Sequence, residues 1–206
     1  MFYMRKIGEG YYYNVFSVDN SRVIKRIKNK PRIFLFIIFA NKFNISNTII
    51  EYRNVLRAIH NLKDEYLKIL TLINNKELIG NPDFINNTDY KQDKVSELRN
   101  INTLKNQDFI KIVNDYTTPL KTLWSFKISD AVFNFSLNCG YNSRNQLVLI
   151  DFNEMTFDKN KVTNQIKKKE WLQKSSYLRL NTEKQIIFEE IMDKEINTKN
   201  LEKLRL

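Results

Sequence analysis

Cysteine and histidine each occur only once in this chain of 206 residues. A single cysteine, Cys139, excludes a disulfide framework and a zinc site built from thiolates. A single histidine, His60, means that any Ser-His-Asp or Cys-His mechanism would have to use that one residue. His60 stands in an apolar helical stretch next to Ile59, which favours a structural role for it.

Long hydrophobic runs are also missing. The most apolar run covers residues 33–40, and its eight residues are too few to cross a bilayer as a helix. Residues 1–6 lead straight into a glycine turn, so we expect no signal peptide. These features predict a soluble, cytoplasmic protein without a membrane span.

Acidic residues are fewer than basic ones, 23 against 34, and the net charge is +11. Such an excess favours polyanionic partners, namely nucleotides, nucleic acid or acidic membrane surfaces. Solvated lysines without a partner are the simpler explanation. An apolar fraction of 42% with 14 phenylalanines is enough for a core, so the chain is expected to fold as one domain or two small lobes.

Glycine is scarce, yet two of the four glycines, Gly8 and Gly10, lie close together near the start. Val15 follows them, and Lys25 comes after a turn at residues 19–21. The pattern predicts three antiparallel strands within residues 1–28, with a glycine-containing turn between the first two. Glycine permits positive φ and a close approach of backbone N–H groups to a ligand. A lysine on the third strand suits a phosphate held under this hairpin.

The middle of the chain shows helical and strand-like patterns up to a polar segment at residues 80–88. Glu51 falls at the edge of the buried face of one predicted helix, where a carboxylate normally needs a cationic partner. The predicted elements are a buried helix at 32–44, a helix at 47–62 capped by Ser46, and strands at 68–73 and 77–79.

The second half is predicted to be mostly helical, with two strands. Pro119 is expected to kink or split one of the helices. The predicted elements are helices at 89–105 and 107–125, strands at 133–137 and 147–150, a helix from Asp158 as its cap to about Trp171, and a last helix capped by Thr182 and Gln185.

Three groups of residues suit phosphoryl transfer, a reaction that needs cations against phosphates and carboxylates to hold those cations. Lys25 supplies a positive charge near the glycine turn. Asp151 directly follows an apolar strand, so it would be held at a strand end. Asn134 and Asp151 are oxygen ligands of the kind that Mg²⁺ prefers.

The order and spacing of these residues resembles the protein-kinase-like superfamily, which includes small bacterial kinase-like proteins and the aminoglycoside and choline phosphotransferases. On that resemblance, Gly8, Gly10 and Val15 match the glycine-rich loop, and Lys25 matches the phosphate-binding lysine. Glu51 matches the helix glutamate that orients the lysine. Asn134 and Asp151 match the metal ligands, and Asp130 matches the catalytic base.

The resemblance implies an α+β, two-lobed protein-kinase-like fold. The N-terminal lobe, residues 1–82, would hold an antiparallel sheet with a helix, and residues 83–206 would form a reduced, mostly helical lobe. It also implies an ATP- and Mg²⁺-dependent phosphotransferase that acts on a hydroxyl of a protein, a small molecule or RNA, with the nucleotide between the lobes.

The chain departs from the family pattern at Tyr13, which replaces the third glycine of the loop, and at Asn153, which replaces the glycine of Asp-Phe-Gly. Asn134 lies four residues after Asp130, whereas the family places its asparagine five residues after the base. Either the loop is one residue shorter with Asp130 as the base, or the base is absent.

Two other functions remain open on the sequence. A pseudokinase would keep the fold and regulate a partner, and an exposed apolar surface at residues 33–40 would favour it. A nucleic-acid-binding protein would use a continuous face of lysine and arginine, with binding that depends strongly on salt. The basic segment at residues 167–169 fits a phosphate-rich substrate or, more simply, a solvated helix face.

Overall fold

The computed structural model describes residues 4–10, 12–98 and 100–205. It has an α+β architecture, with an antiparallel sheet near the start and mostly helices after it. The strands are β1 (Lys6–Glu9), β2 (Tyr13–Ser17), β3 (Arg22–Ile27), β4 (Asp83–Phe84), β5 (Tyr90–Asp93), β6 (Ser129–Asp130), β7 (Cys139–Tyr141), β8 (Leu147–Leu149) and β9 (Met155–Thr156). The α-helices are α1 (Lys30–Ala40), α2 (Ile45–His60), α3 (Leu62–Leu72), α4 (Asn106–Ser125), α5 (Lys159–Lys167), α6 (Ser175–Leu178), α7 (Thr182–Glu195) and α8 (Thr198–Leu204).

The chain divides into two compact units. Unit 1 contains the chain up to Lys68 together with Asn81–Lys94, and unit 2 contains Ile69–Gly80 and the chain from Val95 onward. The division falls inside α3. The sequence predicts one boundary after residue 82. In the structure, residues 69–80 instead belong to the second unit, and residues 83–94 belong to the first.

The sheet of unit 1 has the strand order β1-β2-β3-β5-β4, with every neighbouring pair antiparallel. The three strands predicted within residues 1–28 are therefore confirmed. Asp19 fixes the turn between β2 and β3, because its Oδ1 accepts hydrogen bonds from the backbone N–H groups of Ser21 at 2.7 Å and Arg22 at 2.8 Å. This turn sets the register in which Val15 lies opposite Lys25.

Helices α1 and α2 pack together through one apolar cluster, formed by Ile33, Ile37, Val55 and Ile59. The side chains of Asn29 and Asn44 cap the two helices, so the predicted cap at Ser46 is wrong by two residues. The predicted burial of the segment at 32–44 is correct for one face of α1 only. Its opposite face is exposed and apolar.

Helix α3 replaces the strand predicted at 68–73, and a 3₁₀ helix replaces the strand predicted at 77–79. Leu62, Tyr66, Ile69 and Ile73 are all buried and recur every three or four residues, which is a helical period. The apolar run at 68–73 therefore ends a helix rather than forming a strand. Residues Lys76–Ile79 form a 3₁₀ helix that ends at Gly80, whose φ of 71° is left-handed.

The helix predicted at 89–105 is also wrong. Tyr90–Asp93 form β5, which pairs with β3 so that Tyr90 lies opposite Lys25. Tyr90 and Gln92 are buried, and their neighbours Lys91 and Asp93 are only half-buried, which is the alternation of a strand. Pairing across the sheet, which is not visible in the local sequence, decides the conformation here.

Unit 2 is built around α4, which runs without interruption through Pro119. The predicted helix at 107–125 is confirmed, but Pro119 does not split it. Rings from several elements pack against α4 to form an aromatic core, in which Phe135 contacts Phe109, Tyr116 and Phe188. Phe188 belongs to α7, whose N-cap is Asn181 rather than the predicted Thr182.

Asp158 caps α5, as the sequence predicts. The helix ends at Lys167, and a 3₁₀ helix at Glu170–Gln173 then buries Trp171. None of the helices in the described part of the chain is both long and apolar enough to cross a membrane.

Candidate functional site

Asp130 and Asp151 line the same small pocket in unit 2, together with Asn138, Leu149 and Met155. Two short strand pairs shape it: β6 pairs with β9, with Asp130 opposite Met155, and β7 pairs with β8. The pocket has a volume of about 10 Å³, which is the scale of one water molecule or small ion. The two aspartates selected from the sequence in this half of the chain therefore lie together.

Asp130 is the more deeply buried of the two, with 5% of its surface exposed. Its Oδ1 accepts hydrogen bonds from the backbone N–H groups of Val132 at 2.7 Å and Phe133 at 3.1 Å. Burial raises the pKa of Asp130 to about 6, and the nearby carboxylate of Asp151 adds to the increase. The two backbone hydrogen bonds and the positive charge of Lys174 act in the opposite direction.

The loop after Asp130 is held by aromatic packing and by one buried amide. Phe133 adopts a left-handed backbone with φ of 52°, and its ring packs edge-on against Trp171 at 5.8 Å between centroids. Gln165 donates a hydrogen bond from Nε2 to the carbonyl of Ala131 at 2.5 Å. The strand predicted at 133–137 is wrong, because the apolar alternation there comes from two phenylalanines that anchor a loop in the helical core.

Asp151 comes two residues after β8, which confirms the strand predicted at 147–150 apart from its last residue. Its backbone carbonyl accepts a hydrogen bond from the N–H of Glu154 at 3.0 Å, which begins the 3₁₀ helix Phe152–Glu154. Asn153 lies within this 3₁₀ helix. Phe152 is 1% exposed and anchors the segment.

Asn138, not Asn134, is the amide that lines the pocket. Its Nδ2 donates to the carboxylate of Glu154, and its backbone carbonyl accepts from the N–H of Ile150 at 2.9 Å. The buried Oδ1 of Asn134 makes no hydrogen bond to the described residues. Asn138 lies directly before β7, and this position could have identified it. The sequence pattern did not predict β7, because it placed a strand at 133–137 instead. The metal-binding role of Asn134 stays a prediction.

Oxygen atoms dominate the chemistry of this pocket. Carboxylate and amide oxygens are ligands that suit Mg²⁺, and Asp151 and Asn138 are the residues that would hold it, with Asp130 beside them. The described residues contain no group of three His, Cys, Asp or Glu side chains arranged to bind a metal. Burial raises the pKa of the neighbouring Cys139 thiol to about 12, so this thiol stays protonated at neutral pH.

Lys25 occupies the centre of the unit 1 sheet and is 6% exposed. Val15 lies opposite it on β2 and Tyr90 on β5, so the three side chains share one face. The Nζ of Lys25 lies 5.7 Å from the centroid of the Tyr90 ring, and the ring of Tyr13 packs edge-on against Tyr90. Tyr13, which stands where the kinase-like pattern has its third glycine, is thus part of a buried aromatic pair with Tyr90.

Gly8 and Gly10 lie in the first hairpin, where Gly8 pairs with Val15 and the N–H of Gly10 donates to the carbonyl of Tyr13 at 2.8 Å. Neither adopts a positive φ, so the predicted conformational reason for these glycines is wrong. A Cβ added at Gly8 would meet Val15 at an ordinary 3.7 Å. Of the three consecutive tyrosines, Tyr11 lies outside the described residues.

Glu9, between the two glycines, forms ion pairs that the sequence analysis did not anticipate. Its carboxylate contacts the Nζ of Lys28 at 2.6 Å and also the Nζ of Lys6. Hydrogen bonds from Lys28 and then from Lys6 lower the pKa of Glu9 to about 2. Lys28 is buried, with its Nζ 4.9 Å from the centroid of the Phe36 ring, so the pair ties the glycine hairpin to α1.

Glu51 is half-buried on α2, and its carboxylate accepts a hydrogen bond from Nδ2 of Asn41 at 2.7 Å. Its contacts among the described residues do not include an ion pair with Lys25. The partner that satisfies this carboxylate is an amide rather than the expected cation. The predicted role of Glu51 in orienting Lys25 stays a prediction.

A larger pocket of about 320 Å³ in unit 2 contains none of the predicted site residues. Its charged lining is already paired. Lys111 forms an ion pair with Asp115 at 2.6 Å, Asp115 also accepts a hydrogen bond from the hydroxyl of Tyr141, and Glu77 pairs with Arg144. These pairs stabilise the wall of the pocket and leave the Asp130 pocket as the better candidate.

The basic helices of unit 2 carry lysines that pair with acidic side chains. Lys169 forms an ion pair with Asp193 at 2.6 Å, and Lys121 pairs with Glu195. Lys167 is exposed on the last turn of α5, and Lys168 is exposed as its C-cap. This arrangement is what a solvated helix face looks like.

No protein family and no curated protein sequence matches the chain. Its chemistry is therefore inferred from the residues themselves. A buried aspartate with a raised pKa of about 6 can accept a proton, and a second aspartate with an amide beside it can hold a divalent cation.

Proposed function

We propose that the chain is a Mg²⁺-dependent phosphotransferase that takes its phosphoryl group from ATP and passes it to a hydroxyl acceptor. The observation that carries the proposal is the pocket shared by Asp130 and Asp151, with Asn138 beside them. In this proposal Asp151 and Asn138 hold the metal ion, and Asp130 accepts the proton of the acceptor hydroxyl. Lys25 neutralises the phosphates of the nucleotide.

The raised pKa of Asp130, about 6, supports its role as the base. A base works best when its pKa is close to the pH of the reaction, because it is then ionised and still basic enough to take a proton. The low exposure of Asp130 also keeps water away from the transferred proton. Mg²⁺ would neutralise phosphate charge, which is the main requirement of this reaction.

The test is to incubate the protein with γ-labelled ATP, with and without Mg²⁺, and to follow both nucleotide binding and release or transfer of the label. Asp130→Asn is expected to bind ATP but not to transfer the phosphoryl group. Asp151→Asn is expected to lose the Mg²⁺ dependence of ATP binding. Asp193→Asn is the matched control, because Asp193 is an exposed aspartate of α7 that pairs with Lys169. Failure of the native protein to bind ATP under either condition would overturn the proposal.

A nucleotide-binding module without transfer activity is the second candidate. One observation favours it: Oδ1 of Asp130 already accepts two backbone hydrogen bonds, an arrangement that also occurs in purely structural turns. The same experiment separates the two candidates, because the module binds ATP with no turnover and its Asp130→Asn variant behaves like the native protein.

A further inference from the structure

Helix α1 carries a row of large apolar side chains on its exposed face. Leu35, Phe36, Phe39 and Phe43, which we call the phenylalanine stripe, are 54%, 41%, 64% and 62% exposed. Phe39 follows Leu35 by four residues and Phe36 by three, so these three side chains share one side of the helix. Phe43 follows the helix end, and its ring packs against that of Phe39 at 5.1 Å between centroids.

The opposite side of α1 is fully used by the fold. Ile33 and Ile37 are 1% and 0% exposed and pack with Val55 and Ile59 of α2. The ring of Phe34 packs edge-on against Tyr52 at 5.3 Å. Leu35, Phe39 and Phe43 are therefore additional to the core that holds α1 in place, whereas Phe36 also contacts the Nζ of Lys28 at 4.9 Å from its ring centroid.

The backbone after α1 directs Phe43 outward. Lys42 and Phe43 both adopt left-handed conformations, with φ of 48° and 64°. This conformation is unfavourable for bulky residues and tends to persist at sites where strain serves a function. Here it places a lysine and an exposed phenylalanine next to each other at one end of the stripe.

Every charged residue in the segment 20–50 is basic: Arg22, Lys25, Arg26, Lys28, Lys30, Arg32 and Lys42. Arg32 lies three residues before Leu35, on the same side of α1, and is exposed. The stripe is thus flanked by Arg32 at one end and Lys42 at the other. The carboxylates of Glu9 and Glu51 are already bonded, Glu9 to Lys28 and Glu51 to Asn41.

We propose that the phenylalanine stripe binds the surface of a lipid bilayer that contains anionic lipids, with α1 lying in the plane of the interface. Apolar side chains that protrude between cations have the chemistry of an interfacial helix, because the rings enter the boundary of the acyl chains and the cations contact the headgroups. Charge complementarity selects anionic lipid as the partner. The side chains of the stripe insert into one leaflet, and the helix does not span the membrane.

The test measures flotation of the 206-residue chain with vesicles of phosphatidylcholine alone and of phosphatidylcholine mixed with phosphatidylglycerol. Binding to the mixed vesicles is expected to be much stronger. Phe39→Ser combined with Phe43→Ser should weaken it at least about tenfold, because burial of a single ring in the bilayer already contributes about that factor. Arg32→Gln and Lys42→Gln should each weaken it about fivefold.

Leu178→Ser and Ile186→Ser are matched controls, since both side chains are large, apolar and exposed, at 62% and 54%, but lie on helices of unit 2. Phe43→Trp supplies a direct probe, and its fluorescence should shift to the blue on mixed vesicles. Three results would overturn the proposal: no vesicle binding, binding that the phenylalanine variants do not change, and a stable dimer that the same variants dissociate. The last result would assign the stripe to a second copy of the chain.

Discussion

Lys25 and Asp130 are held in place by two different kinds of structure. Lys25 lies between two strands of a five-stranded sheet, where ladder hydrogen bonds on both sides fix its backbone. Asp130 ends a two-residue strand and begins a loop in which Phe133 and Ser136 have positive φ. The sheet position follows from pairing, whereas the loop position depends on individual side-chain contacts. Single substitutions should therefore disturb the acidic pocket more than the hairpin.

The largest difference in stability is expected between alanine substitutions at Gly140, next to the pocket, and at Gly8, in the hairpin. A Cβ at Gly140 would lie 2.6 Å from Cγ2 of Val95 and 2.7 Å from the carbonyl oxygen of Ser96, and the backbone atom cannot yield easily. Gly140→Ala should lower the free energy of unfolding by about 3 kcal/mol or more, since it overpacks the strand next to the pocket. Urea unfolding followed by circular dichroism measures this change.

Gly8→Ala is the control in the hairpin, where the added Cβ would make an ordinary contact with Val15. Its effect on the free energy of unfolding should stay within about 0.5 kcal/mol. If this variant keeps its stability but loses affinity for ATP, the close approach of the hairpin to phosphate is supported. If Gly8→Ala and Gly140→Ala destabilise the protein equally, the hairpin and the acidic pocket do not differ in their sensitivity to substitution.

The next effect concerns the pH dependence of stability. Burial raises the pKa of Asp130 from 3.8 to about 6, so ionisation of this group opposes folding as the pH rises through that range. Asp130→Asn removes the ionisation and keeps an oxygen that can accept the backbone hydrogen bonds. Above pH 6 this variant should be more stable than the native protein by up to about 3 kcal/mol, and the gain should disappear near pH 4.

Denaturant unfolding at a series of pH values from 4 to 8 tests this expectation. The difference in the free energy of unfolding between Asp130→Asn and the native protein should increase with pH and level off above the pKa. A variant that gains stability while it loses phosphoryl transfer is typical of a functional residue. A constant difference across the pH range would show that the Asp130 carboxyl does not titrate as the structure indicates.

The sequence predicted the hairpin well because its information is local. Alternating apolar residues and the turn at Asp19 are enough to define three strands, and Lys25 follows from them. Asp151 was also identified locally, from the apolar strand before it. The loop at 131–138 was not identified, because the spacing of Phe133 and Phe135 is also typical of a strand. These two rings are held by rings distant in the chain, Trp171 and Phe188.

The strand at 90–93 and the end of α3 were missed for a related reason. Tyr90–Asp93 becomes a strand through its pairing with β3, more than sixty residues earlier in the sequence. The apolar run at 68–73 fits a strand and the last turns of a helix equally well. The helix forms because Leu62 and Tyr66 extend the same buried face at helical spacing. The local sequence thus predicts elements with their own turns and caps, and fails where distant contacts decide.

A smaller effect, opposite in sign to that of Asp130, is expected in unit 1. The lysine contacts lower the pKa of Glu9 from 4.5 to about 2, so its ionised form stabilises the fold above pH 4.5 and this contribution is lost as the pH falls toward 2. Glu9→Gln should therefore be less stable than the native protein at pH 7. Thermal unfolding at several pH values should show the two proteins converging in acid. Convergence at alkaline pH instead would contradict the ion pair with Lys28.

The smallest effect is expected at Glu51. Glu51→Gln keeps an oxygen that can accept the hydrogen bond from Asn41, so the free energy of unfolding should change by less than about 0.5 kcal/mol. Because this carboxylate bonds to Asn41, we also expect phosphoryl transfer to fall by less than about twofold, which is about 0.4 kcal/mol in the barrier. Lys25→Gln, assayed beside it, should lower transfer far more. A loss at Glu51 as large as that at Lys25 would mean that the two residues act as a pair during the reaction. The hairpin would then depend on a long-range contact in the same way as the pocket.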